Sequence, residues 1–206
     1  MTSFPQWIEH HKELLALFVA TVGGAFALWR WMVDQKWRRV QYAQSLIREF
    51  LQKKSTVNAF EILDVLDEDV DLKPEGSTEE NITIEITDEH LVRALSTSYE
   101  KRDGEDKILF VRTIFDEFFG DLSIFQSHIE AGLIKLRDIK PYLDYWLNEL
   151  TGPGRMEHDS SFTQQVHSYL SHYGYQGVVT LAENMGHPFP KASQAADATK
   201  ERAKHD

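Results

Sequence analysis

The chain lacks cysteine altogether, which excludes a disulfide scaffold, a thiolate metal site and a cysteine nucleophile. It is also poor in positive charge. Its 22 Lys and Arg residues stand against 33 Asp and Glu residues, and the formal net charge is -11. An acidic surface is repelled by the phosphate backbone of DNA or RNA, so we expect no nucleic-acid partner.

Catalytic and cofactor motifs are missing as well. The sequence contains no glycine-rich phosphate loop, no H-E-x-x-H pair and no G-x-S-x-G nucleophile elbow. We therefore predict no catalytic residue, no metal ligand and no cofactor. The composition is nevertheless that of a folded protein, with 42% hydrophobic residues among 206.

One long apolar run lies near the N-terminus. Residues 14–29 contain no charged side chain, and the apolar character resumes after Arg30 to end at Val33. A helix from Leu14 to Val33 is about 30 Å long, which matches the hydrocarbon thickness of a bilayer. This length predicts a transmembrane helix over residues 14–33. A cleaved signal peptide ending near Ala27 and a buried core helix are the alternatives.

The flanks of this run predict its orientation. Trp7 precedes the run, and Lys12 is the only Lys or Arg on that side. Several tryptophans and cations lie at the C-terminal end of the run. These predicted anchoring residues are Trp29, Arg30, Trp31, Lys36, Trp37, Arg38 and Arg39. Because positive flanks stay cytoplasmic, we expect residues 1–13 outside the inner (cell) membrane and the rest of the chain inside, with membrane lipid as a partner.

Small residues recur within the predicted span at Ala16, Ala20 and Gly24. This i, i+4, i+8 stripe lets two helix backbones approach closely in lipid, and it predicts self-association through the span. Residues 34–54 contain no Gly or Pro and keep a helical spacing of apolar residues, so we predict a juxtamembrane helix there. That helix either packs on the following domain or touches anionic lipid.

A cytosolic helical domain is predicted over residues 55–186. Within it, residues 67–80 are expected to form a solvated acidic loop. We do not expect a calcium-binding EF-hand starting at Asp67, because its sixth position requires Gly and this chain has Leu72 there. Residues 81–87 alternate as in a strand, so the fold class is mostly α with at most one short extended segment. From residue 187 to 206 the chain is polar and Ala-rich, which predicts a disordered tail.

The strongest periodic pattern predicts a buried helix. Seven apolar residues are spaced alternately three and four apart: Ile108, Val111, Phe115, Phe118, Leu122, Phe125 and Ile129. We call them the apolar seam. Such spacing places all seven on one face of a helix. Arg112, Asp116 and Glu117 on the same helix form either a buried polar network or its solvent face, and the many aromatic neighbours favour the solvent face.

These motifs together resemble a known family. After the N-terminal apolar run come an Arg-x-x-x-Asp-x-Phe-Phe helix (Arg112 to Phe119), a Gly-Leu-Ile turn at Gly132 and a Pro-Tyr-Leu-x-Tyr-Trp helix (Pro141 to Trp146). This pattern is similar to that of the DUF4760-like bacterial single-pass membrane proteins, whose domain has no assigned function. The resemblance covers roughly residues 14–150 and implies a membrane-anchored helical fold, but it carries over no catalytic residue.

Two kinds of function fit the sequence. The first is a non-catalytic, membrane-anchored interaction or sensing module that binds a protein partner or associates with itself. The second is a small membrane-bound enzyme whose site is assembled from residues far apart in the chain. A pore-forming effector is a further alternative, although the span has an apolar lining apart from Thr21.

Overall fold

The computed structural model describes residues 4–64, 69–72, 82–98, 106–152 and 160–190. These residues are mostly helical, and the chain divides into two compact units, Met1–Tyr42 and Ala43–Asp206. The described elements, in chain order, are α1 (Phe4–Gln52), α2 (Lys54–Asp64), β1 (Asp69–Leu72), β2 (Ile82–Glu85), α3 (Asp88–Ala94), α4 (Asp106–Glu130), α5 (Leu136–Thr151), α6 (Ser160–Tyr173) and α7 (Gln176–Met185).

Helix α1 contributes to both units. Its residues up to Tyr42 make the first unit, and the stretch from Ala43 to Gln52 belongs to the second, which we call the helical unit. In that last stretch Ala43, Ile47 and Phe50 are buried, because they recur on one face of the helix. The predicted juxtamembrane residues 34–54 therefore include the first elements of the helical core.

Helix α4 lies at the centre of the helical unit and packs against α2, α3 and α7. Of the apolar seam, all residues but Ile129 are buried, and Ile129 is half-buried against the core. Helices α4 and α7 approach each other closely, since a Cβ atom on Gly177 would lie 3.1 Å from the Cα of Ser123. Glycine at this position lets the two helices pack with almost no gap.

The structure corrects the prediction of at most one extended segment. Strands β1 and β2 form a two-stranded antiparallel sheet in which Val70 pairs with Ile84 and Leu72 pairs with Ile82. Val70, Leu72 and Ile84 are buried, so the apolar face of this hairpin joins the core. Part of the predicted acidic loop is thus a strand, while residues 67, 68 and 73–80 lie outside the described residues.

Helix ends follow local chemistry. Thr87 caps α3, where its side chain accepts a hydrogen bond from the backbone N–H of His90. Helix α7 ends at Gly186, whose φ of 95° places it in the left-handed region that favours glycine. Both termini match signals that are visible in the sequence.

The chain after α7 stays attached to the helical unit as far as it is described. Phe189 is buried, and the ring of His167 on α6 stacks on it with 5.3 Å between the ring centroids. Residues 187–190 therefore do not belong to a disordered tail as predicted, because an aromatic anchor holds them. Residues 191–206 lie outside the described residues.

Candidate functional site

The first unit exposes a continuous apolar surface. Within the described residues, one helix is long and apolar enough to cross a membrane, and its most apolar stretch is 0% buried. The side chains of Leu17, Phe18, Val19 and Leu28 are each about two-thirds exposed. Exposed apolar patches of this extent mark a surface that is covered by lipid or by a partner.

Polar groups within this apolar stretch are satisfied inside the helix. Thr21 donates its hydroxyl hydrogen to the backbone oxygen of Leu17 at 2.8 Å. A hydroxyl bonded in this way leaves no unsatisfied donor for a hydrocarbon environment. The stretch is therefore compatible with lipid despite its threonine.

The predicted self-association stripe is open. Ala16, Ala20 and Gly24 are all exposed, and a side chain added at Gly24 would meet no atom within 4 Å. A second helix would thus find unobstructed backbone along this face. The predicted anchoring residues are exposed as well, except for Arg39, which is half-buried.

The helical unit contains a polar cluster that the sequence pattern did not predict. We define it as Arg112 and Asp116 on α4, Tyr169 and Tyr173 on α6, and Tyr175. The Tyr169 hydroxyl donates to Asp116 Oδ1 at 2.5 Å, and the Tyr175 hydroxyl donates to the same oxygen at 3.2 Å. Asp116 lies at the edge of the solvent face, with a side chain 38% exposed, and two distant phenols donate to its carboxylate. Glu117, next to it, is exposed.

Arg112 is the centre of this cluster, with a side chain only 12% exposed. Its guanidinium lies 4.8 Å from the ring centroids of both Tyr169 and Tyr173, within the range of cation–π attraction. The Nη1 group donates to the backbone oxygens of Ala94 and Ser96, each at 3.2 Å. A positive charge at the C-terminal end of α3 also complements the dipole of that helix.

The two phenols remain protonated donors at physiological pH. Burial, together with the negative charge of Asp116, raises the pKa of Tyr175 to about 12. Burial and the hydrogen bond to Asp116 also raise the pKa of Tyr169. Since a raised phenol pKa favours the neutral form, their contribution to stability is lost only as the pH rises above about 10. The cluster holds α3, α4 and α6 together but presents no activated nucleophile.

A second polar contact fixes the chain after α7. The ring of His187 lies 3.0 Å from Asp144 Oδ1, measured from Nε2, and Lys140 donates to the backbone oxygen of Met185 at 2.9 Å. The hydrogen bond from His187 lowers the pKa of Asp144. A carboxyl with a lowered pKa stabilises the fold above its unfolded pKa and loses that effect as the pH falls.

A small groove lies between the end of α1 and α4. Lys53 donates to Asp121 at 2.6 Å across it, and the second carboxylate oxygen of Asp121 is buried without a hydrogen-bond partner among the described residues. Leu46 and Ile124 line its walls. Within the described ranges, no group of three or more His, Cys, Asp or Glu side chains is placed to hold a metal ion.

These features define a class of protein: a helical unit with its own core, preceded by one helix long and apolar enough to span a bilayer. No protein-family model, curated protein or solved structure matches the chain. The similarity to the DUF4760-like group accordingly stays a prediction.

Proposed function

We propose that this protein is a single-pass protein of the inner (cell) membrane and acts as a non-catalytic interaction or sensing module. Its N-terminus lies outside, and the helical unit lies in the cytoplasm, where it binds a protein partner. The observation that carries this proposal is the contrast between two surfaces. The large apolar side chains of α1 from Leu14 to Trp37 are exposed, whereas the helical unit buries most of its large apolar side chains in a core of its own.

Two features support the non-catalytic part of the proposal. The polar cluster around Arg112 uses its donors and acceptors within the unit, on Asp116 and on the backbone of Ala94 and Ser96. The sequence, in addition, offers no motif for a nucleophile or a phosphate site. The cations and tryptophans at the C-terminal end of the apolar run, from Trp29 to Arg39, support the proposed orientation.

Membrane attachment predicts a fractionation result. The wild-type protein should stay in the membrane pellet after an alkaline wash, because a spanning helix is held by burial in hydrocarbon. The double change Phe18→Asp and Val22→Asp should move it to the soluble fraction, since each charge at the centre of a span costs about 2.5–3.5 kcal/mol.

The matched control is Leu109→Asp with Leu133→Asp, which places two charges on exposed apolar residues of the helical unit. This variant should remain in the pellet. Release of the wild-type protein by alkali would show that α1 does not span the bilayer.

Self-association through the span predicts a second result. Gly24→Ile places a branched side chain on the open stripe and should abolish dimerisation, because the helix backbones can no longer meet. Val22→Ile, on the opposite face of the helix, should leave it unchanged. A transmembrane-dimerisation reporter measures both, and equal signals from the two variants would leave the span as a monomeric anchor.

A further inference from the structure

The end of the apolar run carries cations and tryptophans on an exposed helix. We call Arg30, Lys36, Arg38 and Arg39 the positive collar. Arg30, Lys36 and Arg38 are exposed, and the indoles of Trp29, Trp31 and Trp37 are each more than half exposed. Asp34 is the only acidic residue between Arg30 and Arg39.

The collar surrounds the helix rather than marking one face. At about 100° per residue, its three exposed cations, Arg30, Lys36 and Arg38, lie on three sides of the helix, with gaps of about 80°, 120° and 160° between neighbours. A protein partner that docks on one side of a helix contacts side chains spaced three and four residues apart, because these lie on the same face. A ring of charge instead fits a ligand that surrounds the helix, as a layer of lipid headgroups does.

The sign and the position of the charge indicate which headgroups fit. The collar spans about 14 Å along the helix axis and begins within the last turn of the apolar run. Guanidinium and ammonium groups bind phosphate oxygens, and exposed indoles are typical of the level of the headgroups. The chain after residue 60 has a charge balance of -15, so an anionic surface would repel it and attract only the basic N-terminal part.

We infer that the positive collar binds anionic phospholipid headgroups in preference to zwitterionic ones. This inference rests on the proposed membrane span and names the lipid that the span selects at its C-terminal end. Lipids of the phosphatidylglycerol type have the required chemistry, a phosphate without a compensating cation.

Brominated lipids test the inference on the full chain, since bromine quenches tryptophan fluorescence on contact. The protein, in a Trp7→Phe background, is reconstituted in phosphatidylcholine vesicles that contain either brominated phosphatidylcholine or brominated phosphatidylglycerol. We expect the relative affinity for the anionic lipid to be about threefold or more higher, and to fall with rising salt. Trp146 in the helical unit adds the same background to every sample.

A matched pair of variants tests the collar itself. Lys36→Gln with Arg38→Gln should reduce the preference to below about twofold, because two of the four cations are removed. Lys135→Gln with Arg137→Gln removes the same two charges at the same spacing, from exposed positions of the helical unit, and should leave the preference unchanged.

Each remaining outcome contradicts a different statement. Equal quenching by both lipids in the wild-type protein would overturn the lipid preference while leaving the span intact. Quenching by neither lipid would instead show that α1 is not in the bilayer, and would overturn the proposed function. A preference that survives the collar variant, that is lost equally in the control, or that does not respond to salt would overturn the assignment to the collar.

Discussion

Phe118→Ala is expected to lower the free energy of unfolding of the helical unit by about 3–5 kcal/mol, the range for truncation of a buried aromatic residue. The ring of Phe118 is fully buried. Its centroid lies 5.9 Å from that of Phe50 on α1 and 5.7 Å from that of Phe60 on α2. The cavity would open where three helices meet, so the surrounding side chains have little freedom to fill it.

Chemical denaturation of the full chain in mild detergent measures this change. Trp146 reports on it, because its ring stacks on Phe60 with 3.8 Å between the centroids. The control is Leu109→Ala, on the same helix but 49% exposed, which should cost less than about 1 kcal/mol. Equal stability of both variants would mean that the apolar seam is a binding surface and not the centre of the core.

The apolar seam was predictable because a long helix with one buried face repeats its signal over many turns. From Ile108 to Phe125 each step of three or four residues adds independent support for the same face. The C-terminal ends of α5 and α7 also carry a local signal, because a glycine directly follows each helix, and Gly152 and Gly186 both adopt a positive φ. These signals lie within a short stretch of sequence and do not depend on the rest of the fold.

The hairpin was not predictable in the same way. Strand β1 has only four residues, and its buried Val70 and Leu72 alternate with Asp69 and Asp71 in a strongly acidic stretch. Composition there indicates a solvated loop. The pairing partner, β2, begins ten residues after β1 ends, so the stabilising contact is invisible to a local reading.

The polar cluster was not predictable from a short stretch of sequence either. Arg112 and Asp116 are neighbours on one helix, but the tyrosines that contact them follow more than 50 residues later. The packing of α6 against α3 brings these groups together, and Gln165 on α6 donates to the backbone oxygen of Leu95 at the end of α3. A charged pair on a helix is usually solvated, and the sequence offered no signal for the exception.

The absence of cysteine makes one topology experiment free of background labelling. Three single-cysteine variants are required: Ser3→Cys before the apolar run, Val19→Cys within it and Ser171→Cys on the exposed face of α6. A membrane-impermeant maleimide reacts with a thiolate, which forms in water and not in hydrocarbon. Labelling before and after spheroplasts are mechanically broken therefore places each residue outside, within or inside the membrane.

This labelling experiment tests the proposal that α1 spans the membrane with the helical unit in the cytoplasm. We expect Ser3→Cys to be labelled in intact spheroplasts and Ser171→Cys to be labelled only after they are broken. Val19→Cys should resist labelling in both. Labelling of Ser171→Cys in intact spheroplasts would contradict the orientation. Labelling of Val19→Cys as fast as Ser171→Cys in broken spheroplasts would contradict the membrane span itself.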